Sequence, residues 1–187
     1  MIAIAHHPVP ETDWLTPCAT SCQRYLPQEE LTVCQTPHYE TGAWWQAWRD
    51  CPKAERFYCL HDSTVLQGTP PFYAPVTVVG YMEIWEGCSS EHIAWVRNAV
   101  RPIIGDVDEP FTAVHGSMFF CERAVLDALD DAGWSSILPT NKFESQCMER
   151  VWGLAFQSLG LEPVSLGRGE DCYREDAIVR KFSGRRT

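Results

Sequence analysis

Long apolar runs are absent from this chain of 187 residues. Its longest apolar stretches, such as residues 76–82, fall far short of the roughly 20 residues that a membrane-spanning helix needs. The first residues also lack the basic start and the long apolar core of a secretory signal. We therefore expect a cytoplasmic protein with no membrane span.

Positive charge is scarce, since 15 Lys and Arg face 25 Asp and Glu, for a net charge of −10. This balance argues against a surface that binds nucleic acid as a whole. The basic residues are concentrated at the end, where residues 174–187 hold five basic and two acidic side chains. We expect residues 171–187 to form a basic tail that folds over a pyrophosphate or touches an anionic acceptor. A solvated tail that neutralises an acidic body is the alternative.

Paired cysteine motifs are also missing. The nine cysteines are odd in number and scattered, and no C-x-x-C pair occurs among them. Cys18 and Cys22, four residues apart, have no second pair to complete a zinc site. The pattern therefore predicts buried free thiols and no structural zinc.

Strand-like and helix-like segments alternate along the chain. The strand-like segments are short and rich in apolar residues, and they lie at residues 1–5, 31–34, 57–60, 111–120 and 162–166. The helix-like segments show apolar residues at helical spacing or start and stop signals, and they lie at residues 17–25, 42–51, 89–100, 122–131 and 143–159. Residues 76–86 are extended and predict a hairpin or an edge. This order predicts one α/β domain over residues 1–170, with a mostly parallel sheet flanked by helices.

Asp62 follows a predicted apolar strand. Ligands of such sheets bind beyond the carboxyl ends of the strands, so we expect the Asp62 carboxylate at the binding edge. A carboxylate there suits a hard divalent cation such as Mg²⁺ or Mn²⁺, which keeps several waters while it bridges to phosphates. The alternative is that Asp62 caps the turn after the strand.

Four ordered segments resemble GT-A-fold nucleotide-sugar glycosyltransferases. Residues 39–47 (YETGAWWQA) and 57–66 (FYCLHDSTVL) resemble the helix, apolar strand and acidic D-x-D segment of that family. Residues 115–126 (HGSMFFCERAVL) look like its G-x-x-x-x-x-R-x-x-x-L block. Residues 141–150 (NKFESQCMER) resemble the acidic segment that supplies the base in inverting members.

The resemblance implies a GT-A-like, Rossmann-like fold and transfer of a sugar from a nucleotide-diphosphate sugar to a hydroxyl acceptor, with inversion. It implies Glu144 as the catalytic base and Asp62 as the metal ligand and a further catalytic residue, with Mn²⁺ or Mg²⁺ as cofactor. The residues predicted to bind the donor are Thr41, Gly42, His61, Asp62, Ser63, His115, Gly116, Ser117, Lys181 and Arg185.

The chain also departs from the family pattern. Asp62 is flanked by His61 and Ser63 where D-x-D has a second acid, so metal dependence is open, and Lys181 and Arg185 are alternative partners for the diphosphate. Glu144 also has the spacing of a capping box with Asn141.

Other candidate residues have structural alternatives. His115 precedes a glycine that permits close approach to a ligand, but it is equally a structural histidine. Trp44 and Trp45 either stack on the donor or belong to the core. For Glu149 and Arg150, an exposed ion pair is the alternative interpretation.

Two other functions fit the same features. A nucleotidyltransferase of similar topology would need a glycine-rich phosphate loop after the first strand, where this chain has residues 6–10 (HHPVP). A non-catalytic interaction protein on the same fold would explain the degenerate acidic motif. The sequence does not distinguish between a lipid-linked glycan, a protein, a small molecule and a modified base in DNA as the acceptor. The basic tail slightly favours an anionic acceptor.

Overall fold

A six-stranded sheet forms the centre of the computed structural model, which describes residues 1–10, 12–83, 88–107 and 112–182. In spatial order its strands are β2 (Leu31–Cys34), β1 (Ile2–Ala5), β3 (Arg56–His61), β8 (Phe119–Glu122), β5 (Val76–Val78) and β9 (Val164–Ser165). Only β8 runs against the others, because it pairs antiparallel with both of its neighbours while the remaining pairs are parallel. The predicted single α/β domain with a mostly parallel sheet is therefore confirmed.

Two small sheets lie beside the central one. Strand β4 (Thr64–Leu66) pairs antiparallel with β10 (Val179–Lys181). Strand β6 (Tyr81–Glu83) pairs antiparallel with β7 (Thr112–Val114). The first pair joins a segment near the C-terminus to the segment that directly follows β3.

Helices cover both faces of the central sheet. They are α1 (Leu15–Tyr25), α2 (Tyr39–Asp50), α3 (Ser90–Ile104), α4 (Arg123–Asp131) and α5 (Lys142–Ser158). Because side chains of a strand alternate between faces, Ile2 and Ile4 pack with α1 while Ala3 and Ala5 pack with α2. Burial on both faces explains why β1 is an unbroken apolar run.

The chain order creates a switch point in the sheet. From β1 the chain passes through α1 to β2 on one side, and then through α2 to β3 on the other side of β1. The two connecting helices lie on opposite faces, while the loop after β1 and the residues after β3 meet at the carboxyl edge. Ligands of open α/β sheets bind at the carboxyl edge beside such a switch point.

The expectation for residues 76–86 was wrong where the structure describes them. Strand β5 lies inside the sheet between β8 and β9, and β6 pairs with β7, so the segment is neither a hairpin nor an edge of the central sheet. Strands of three residues are too short for periodicity to reveal their partners. Residues 84–86 of this expectation, and Phe111 of the strand predicted at 111–120, lie outside the described residues.

All nine cysteines are free thiols, and seven of them are buried, as predicted. They are spread over both core layers. In the described ranges, no helix is long and apolar enough to cross a membrane.

Candidate functional site

Asp62, directly after β3, is hydrogen-bonded to the loop after β1. Its Oδ2 atom accepts hydrogen bonds from the backbone N–H of His7 at 2.8 Å and from Nδ1 of His6 at 3.0 Å. The side chain is 1% exposed, and its Oδ1 atom has no hydrogen-bond partner among the described residues. Buried carboxylate oxygens are costly without a partner, so Oδ1 is suited to a ligand. The carboxylate therefore holds the loop after β1. These two bonds do not cap the turn that follows β3, which was the alternative role for Asp62.

His61 and Glu40 bring two acceptor atoms close together beside Asp62. His61 donates its Nε2 proton to the carbonyl of Gly116, and its Nδ1 lies 3.6 Å from Oε1 of Glu40. Burial and the charge of Lys181 hold the pKa of His61 well below its usual value, so the imidazole is neutral at pH 7. With its proton on Nε2, the neutral ring presents Nδ1 as an acceptor.

Glu40 stays ionised although it is buried. Burial opposes its ionisation, but His61, which gains its proton only in acid, the N–H of Glu40 itself and Lys142 together hold the pKa of the carboxyl below its usual value. Its other oxygen accepts a hydrogen bond from the Ser145 hydroxyl at 2.9 Å. The carboxylate is therefore fixed by α5 on one side and faces His61 on the other.

A strained turn at residues 115–117 lies against His61. Gly116 has φ 62° and Ser117 has φ 53°, which is the left-handed region that residues other than glycine rarely adopt. Three side chains hold this turn: Gly116 donates its N–H to Glu149 at 2.8 Å and accepts from His61, while Trp44 donates to the Ser117 carbonyl at 3.0 Å. Strain that the surroundings over-determine is characteristic of functional sites.

The first residue of α2, Tyr39, also has a left-handed backbone, with φ 53°. Among the described residues, Tyr39 and Ser117 are the non-glycine residues with a left-handed backbone. Gly42, in the same helical turn as Tyr39, leaves no room for a Cβ, which would overlap the Thr36 side chain. The Thr41 hydroxyl accepts a hydrogen bond from Trp152 in the core. Thr41 and Gly42 thus have structural roles here, and their predicted donor contacts stay predictions.

Lys181 brings a positive charge to the strained turn. A Cβ on Gly116 would lie 2.8 Å from its Nζ atom, so the ammonium group sits against that glycine. Burial lowers the pKa of Lys181, and Glu149 partly offsets this effect. The next residue, Phe182, donates its N–H to the Ser63 carbonyl at 2.8 Å. The C-terminal segment thereby contacts two other predicted donor residues, Gly116 and Ser63, which lie far from Lys181 in the sequence.

The C-terminal segment packs on the body through β10, so a solvated tail is wrong for residues 179–182. Arg185, the other predicted basic partner of the diphosphate, lies outside the described residues.

Glu149 connects α5 to the strained turn. Its Oε2 lies 3.1 Å from Nη1 of Arg150, and its side chain is 19% exposed. Burial raises its pKa, against the opposing effects of Arg150 and Lys181. The expected exposed ion pair is wrong, because Arg150 is 2% exposed.

Glu144 lies in the first turn of α5. Its carboxylate accepts hydrogen bonds from the N–H and the hydroxyl of Thr140, at 2.6 and 2.8 Å, and these bonds lower its pKa. Asn141 caps the helix as predicted by accepting from the Glu144 N–H at 3.0 Å, although the Glu144 carboxylate accepts from the Thr140 N–H where a capping box would use the backbone N–H of Asn141. Within the described residues, no hydrogen bond or ion pair joins the Glu144 carboxylate to Asp62. Its role as base stays a prediction.

His115 and the tryptophan pair have structural partners. The His115 ring contacts Met82 Sδ at 2.9 Å and the Tyr173 hydroxyl at 3.3 Å, and burial, Lys181 and Arg150 lower its pKa to about 4. Trp44 and Trp45 are 0% and 1% exposed, so they belong to the core.

Sequence reasoning missed His6, His7, Glu40 and Glu149 as site residues. The available signal for the two histidines was their position directly after an apolar strand, where ligand loops begin. Glu40 stood inside the motif at residues 39–47, one residue before the predicted Thr41. Glu149 had no sequence signal that set it apart from a surface carboxylate.

A divalent cation fits this site in part. Asp62 Oδ1 is a hard oxygen without a protein partner, as Mg²⁺ or Mn²⁺ would need. His61 offers no Nε2 lone pair, because that nitrogen donates to Gly116. Across the described ranges, no group of three or more His, Cys, Asp or Glu side chains is arranged to hold a metal ion.

Fold and site define an α/β domain with a cluster of buried polar side chains and a strained turn at the switch point of its sheet. Comparisons of the chain with protein-family models, curated proteins and solved structures found no match.

Proposed function

We propose that the protein is a cytoplasmic glycosyltransferase with a GT-A-like sheet, which moves a sugar from a nucleotide-diphosphate donor to a hydroxyl acceptor with inversion. The carboxyl edge of the sheet at the switch point between β1 and β3 carries the proposal. There the buried Asp62 joins the loops after β1 and β3 and keeps one oxygen without a protein partner. Crevices in this position bind nucleotides in other α/β proteins.

The diphosphate of the donor needs positive charge as it leaves. Lys181 supplies an ammonium group at the Gly116 turn, inside a partly buried site where charge acts strongly. A Mn²⁺ or Mg²⁺ ion, held by Asp62 Oδ1 and by waters, would add Lewis-acid stabilisation of the same leaving group. Arg185 is a further candidate partner of the diphosphate.

Hydroxyl groups of the donor match the acceptor atoms beside Asp62. Nδ1 of His61 and Oε1 of Glu40 face each other at 3.6 Å, and neither can donate to the other at pH 7. Two acceptors in this arrangement can share a hydroxyl proton supplied by a sugar. Glu40 and His61 therefore act in donor positioning.

Transfer breaks the bond between the sugar C1 and the diphosphate oxygen and forms a bond from C1 to the acceptor oxygen. The acceptor hydroxyl proton passes to a carboxylate, and the nucleoside diphosphate leaves. The resemblance assigns this carboxylate to Glu144, whereas the contacts favour Glu149, which bonds to the strained turn and has a raised pKa. A base with a raised pKa is better matched to neutral pH.

Calorimetry with UDP-, GDP- and dTDP-sugars, with and without Mn²⁺, tests the proposal. We expect one of these donors to bind and to be hydrolysed slowly without acceptor. Asp62→Asn should lose binding, and the exposed Asp50→Asn at the end of α2 should not. If no common nucleotide sugar binds or is hydrolysed, the proposal fails.

A non-catalytic nucleotide-sugar-binding protein is the second candidate. Its support is that Oδ2 of Asp62 is already committed to His6 and His7, which leaves one oxygen for a cation. Binding of a nucleotide sugar without hydrolysis or transfer to any acceptor would favour this candidate. In the part of the chain that the structure describes, no feature favours a nucleotidyltransferase, and the sequence after β1, HHPVP, contains no glycine.

A further inference from the structure

A cavity of about 440 Å³ lies at the carboxyl ends of β5 and β9, and none of the predicted site residues line it. Its walls come from the ends of β5 and β9, from the small sheet of β6 and β7, and from α5 with the segment that follows it. This volume lies in the range of small-molecule sites, which is about 300 to 1,000 Å³.

The floor of the cavity is apolar and closely packed. Val78, Ala113, Val114 and Gly153 form it, and all four are buried. Gly153 allows α5 to lie directly on β7, because a Cβ at that position would overlap the Thr112 carbonyl. The floor is therefore a rigid surface on which the apolar face of a ligand can rest.

The rim of the cavity is polar and accessible. Thr112, Gln157 and Glu162 are exposed, while Tyr81 and Ser165 are partly buried. The rim thus offers hydroxyl, amide and carboxylate groups around one aromatic ring. An apolar floor, an aromatic ring and several uncharged hydrogen-bonding groups are what a sugar ring needs, since it has apolar C–H faces and a border of hydroxyls.

The cavity adjoins the proposed site of transfer through two elements. Val114, in its floor, directly precedes His115 of the strained turn. Gly153 follows Glu149 by four residues on α5, which is about 6 Å along the helix axis. The cavity and the carboxylate that the contacts favour as base are therefore served by neighbouring turns of the same helix.

We propose that this cavity binds the acceptor, and that the acceptor is an uncharged glycoside. The role of the glycoside as acceptor rests on the proposed function, but binding of the glycoside to the cavity does not require the donor. Glu162 is the charged side chain of the lining, so a carboxylate on the ligand would be repelled. The charge of the cavity opposes the anionic acceptor that the basic tail suggests.

Ligand-observed NMR with methyl glucoside and methyl glucuronide tests the inference on the full chain without nucleotide. The wild type should bind the neutral glycoside about fivefold more tightly than the uronate, as expected for one nearby like charge. Glu162→Gln should bring the two affinities to about the same value. Preference for the uronate would overturn the inference.

A substitution at the rim tests the location. Gln157→Trp places a bulky side chain at an exposed rim position, and it should weaken glycoside binding about tenfold or more by filling the mouth. Gln146→Trp is the matched control, because residue 146 is exposed on the same helix and lies outside the cavity lining. Equal binding by the two variants, or no glycoside binding by the wild type, would overturn the inference.

The two proposals fail separately. If nucleotide sugars bind and turn over while glycosides do not bind the cavity, the acceptor inference is wrong and the proposed function stands. If glycosides bind at the cavity and no nucleotide sugar binds, the proposed function is wrong, and the cavity is a glycoside site of another kind of protein.

Discussion

Replacing Gly116 with alanine tests whether Lys181 lies at the ligand. The alanine would have to adopt φ 62°, and its Cβ would lie 2.8 Å from the Lys181 Nζ atom. A left-handed backbone costs a residue with a Cβ about 1 to 2 kcal/mol. For a chain of this length, that cost corresponds to a fall in Tm of roughly 2 to 8 °C.

Gly133→Ala is the matched control for this backbone cost. Gly133 has φ 92°, and an added Cβ would meet nothing within 4 Å. We therefore expect both variants to lose a similar amount of stability in a thermal melt. Only in Gly116→Ala must the Lys181 ammonium move aside, which it can do because it is the end of a flexible side chain.

Binding of nucleoside diphosphates separates the two variants. An ammonium at about 4 Å from a phosphate contributes about 4 kcal/mol at an effective dielectric constant of 20, and a shift of a few ångströms loses roughly 1 to 2 kcal/mol of this. Calorimetry with UDP, GDP and dTDP should therefore show about tenfold weaker binding for Gly116→Ala than for Gly133→Ala. Equal affinities would refute the placement of Lys181 at the diphosphate.

Three further predictions follow from single positions. The pKa of His115 is 6.5 in the unfolded chain and about 4 in the folded protein, so the free energy of unfolding falls as pH falls through this window. Urea melts of the wild type should therefore show a loss of stability between pH 7 and pH 4.5, and His115→Gln should make this loss smaller by about 2 kcal/mol. Gly153→Ala should cost about 3 kcal/mol, because its Cβ would overlap a backbone carbonyl of β7, whereas Gly68→Ala, with open space around it, should cost less than 1 kcal/mol. If Glu149 is the base, Glu149→Gln should lower turnover about 100-fold, and Glu144→Gln should lower it less than about twofold. A large loss in Glu144→Gln with little change in Glu149→Gln would favour Glu144 as the base.

The central sheet was predictable where its strands are continuous apolar runs. Strands β1 and β3 are buried on both faces, so composition alone located them and placed Asp62 at the carboxyl edge. The role of β5 was not predictable, because a strand of three residues carries too little pattern to identify its neighbours.

The candidate site was only partly predictable, because its contacts depend on strand order. His6 follows β1 and Asp62 follows β3, and they meet only because β1 and β3 are neighbours in the sheet. Likewise, Glu149 reaches Gly116 because α5 packs beside the turn after β7. The spacing of these residues in the sequence predicts neither contact. The Asn141 cap of α5 was predictable, since it depends on adjacent residues alone.

Calorimetry of Asp62→Asn with nucleotide sugars and Mn²⁺ tests the central claim most directly. Asparagine keeps an oxygen that can accept the His7 N–H, so the fold should be retained and the Tm should change little. The account predicts that the wild type binds one of the UDP-, GDP- or dTDP-sugars and that Asp62→Asn binds it at least about tenfold more weakly. Equal binding by the variant, or no binding by the wild type, would contradict a donor site at Asp62.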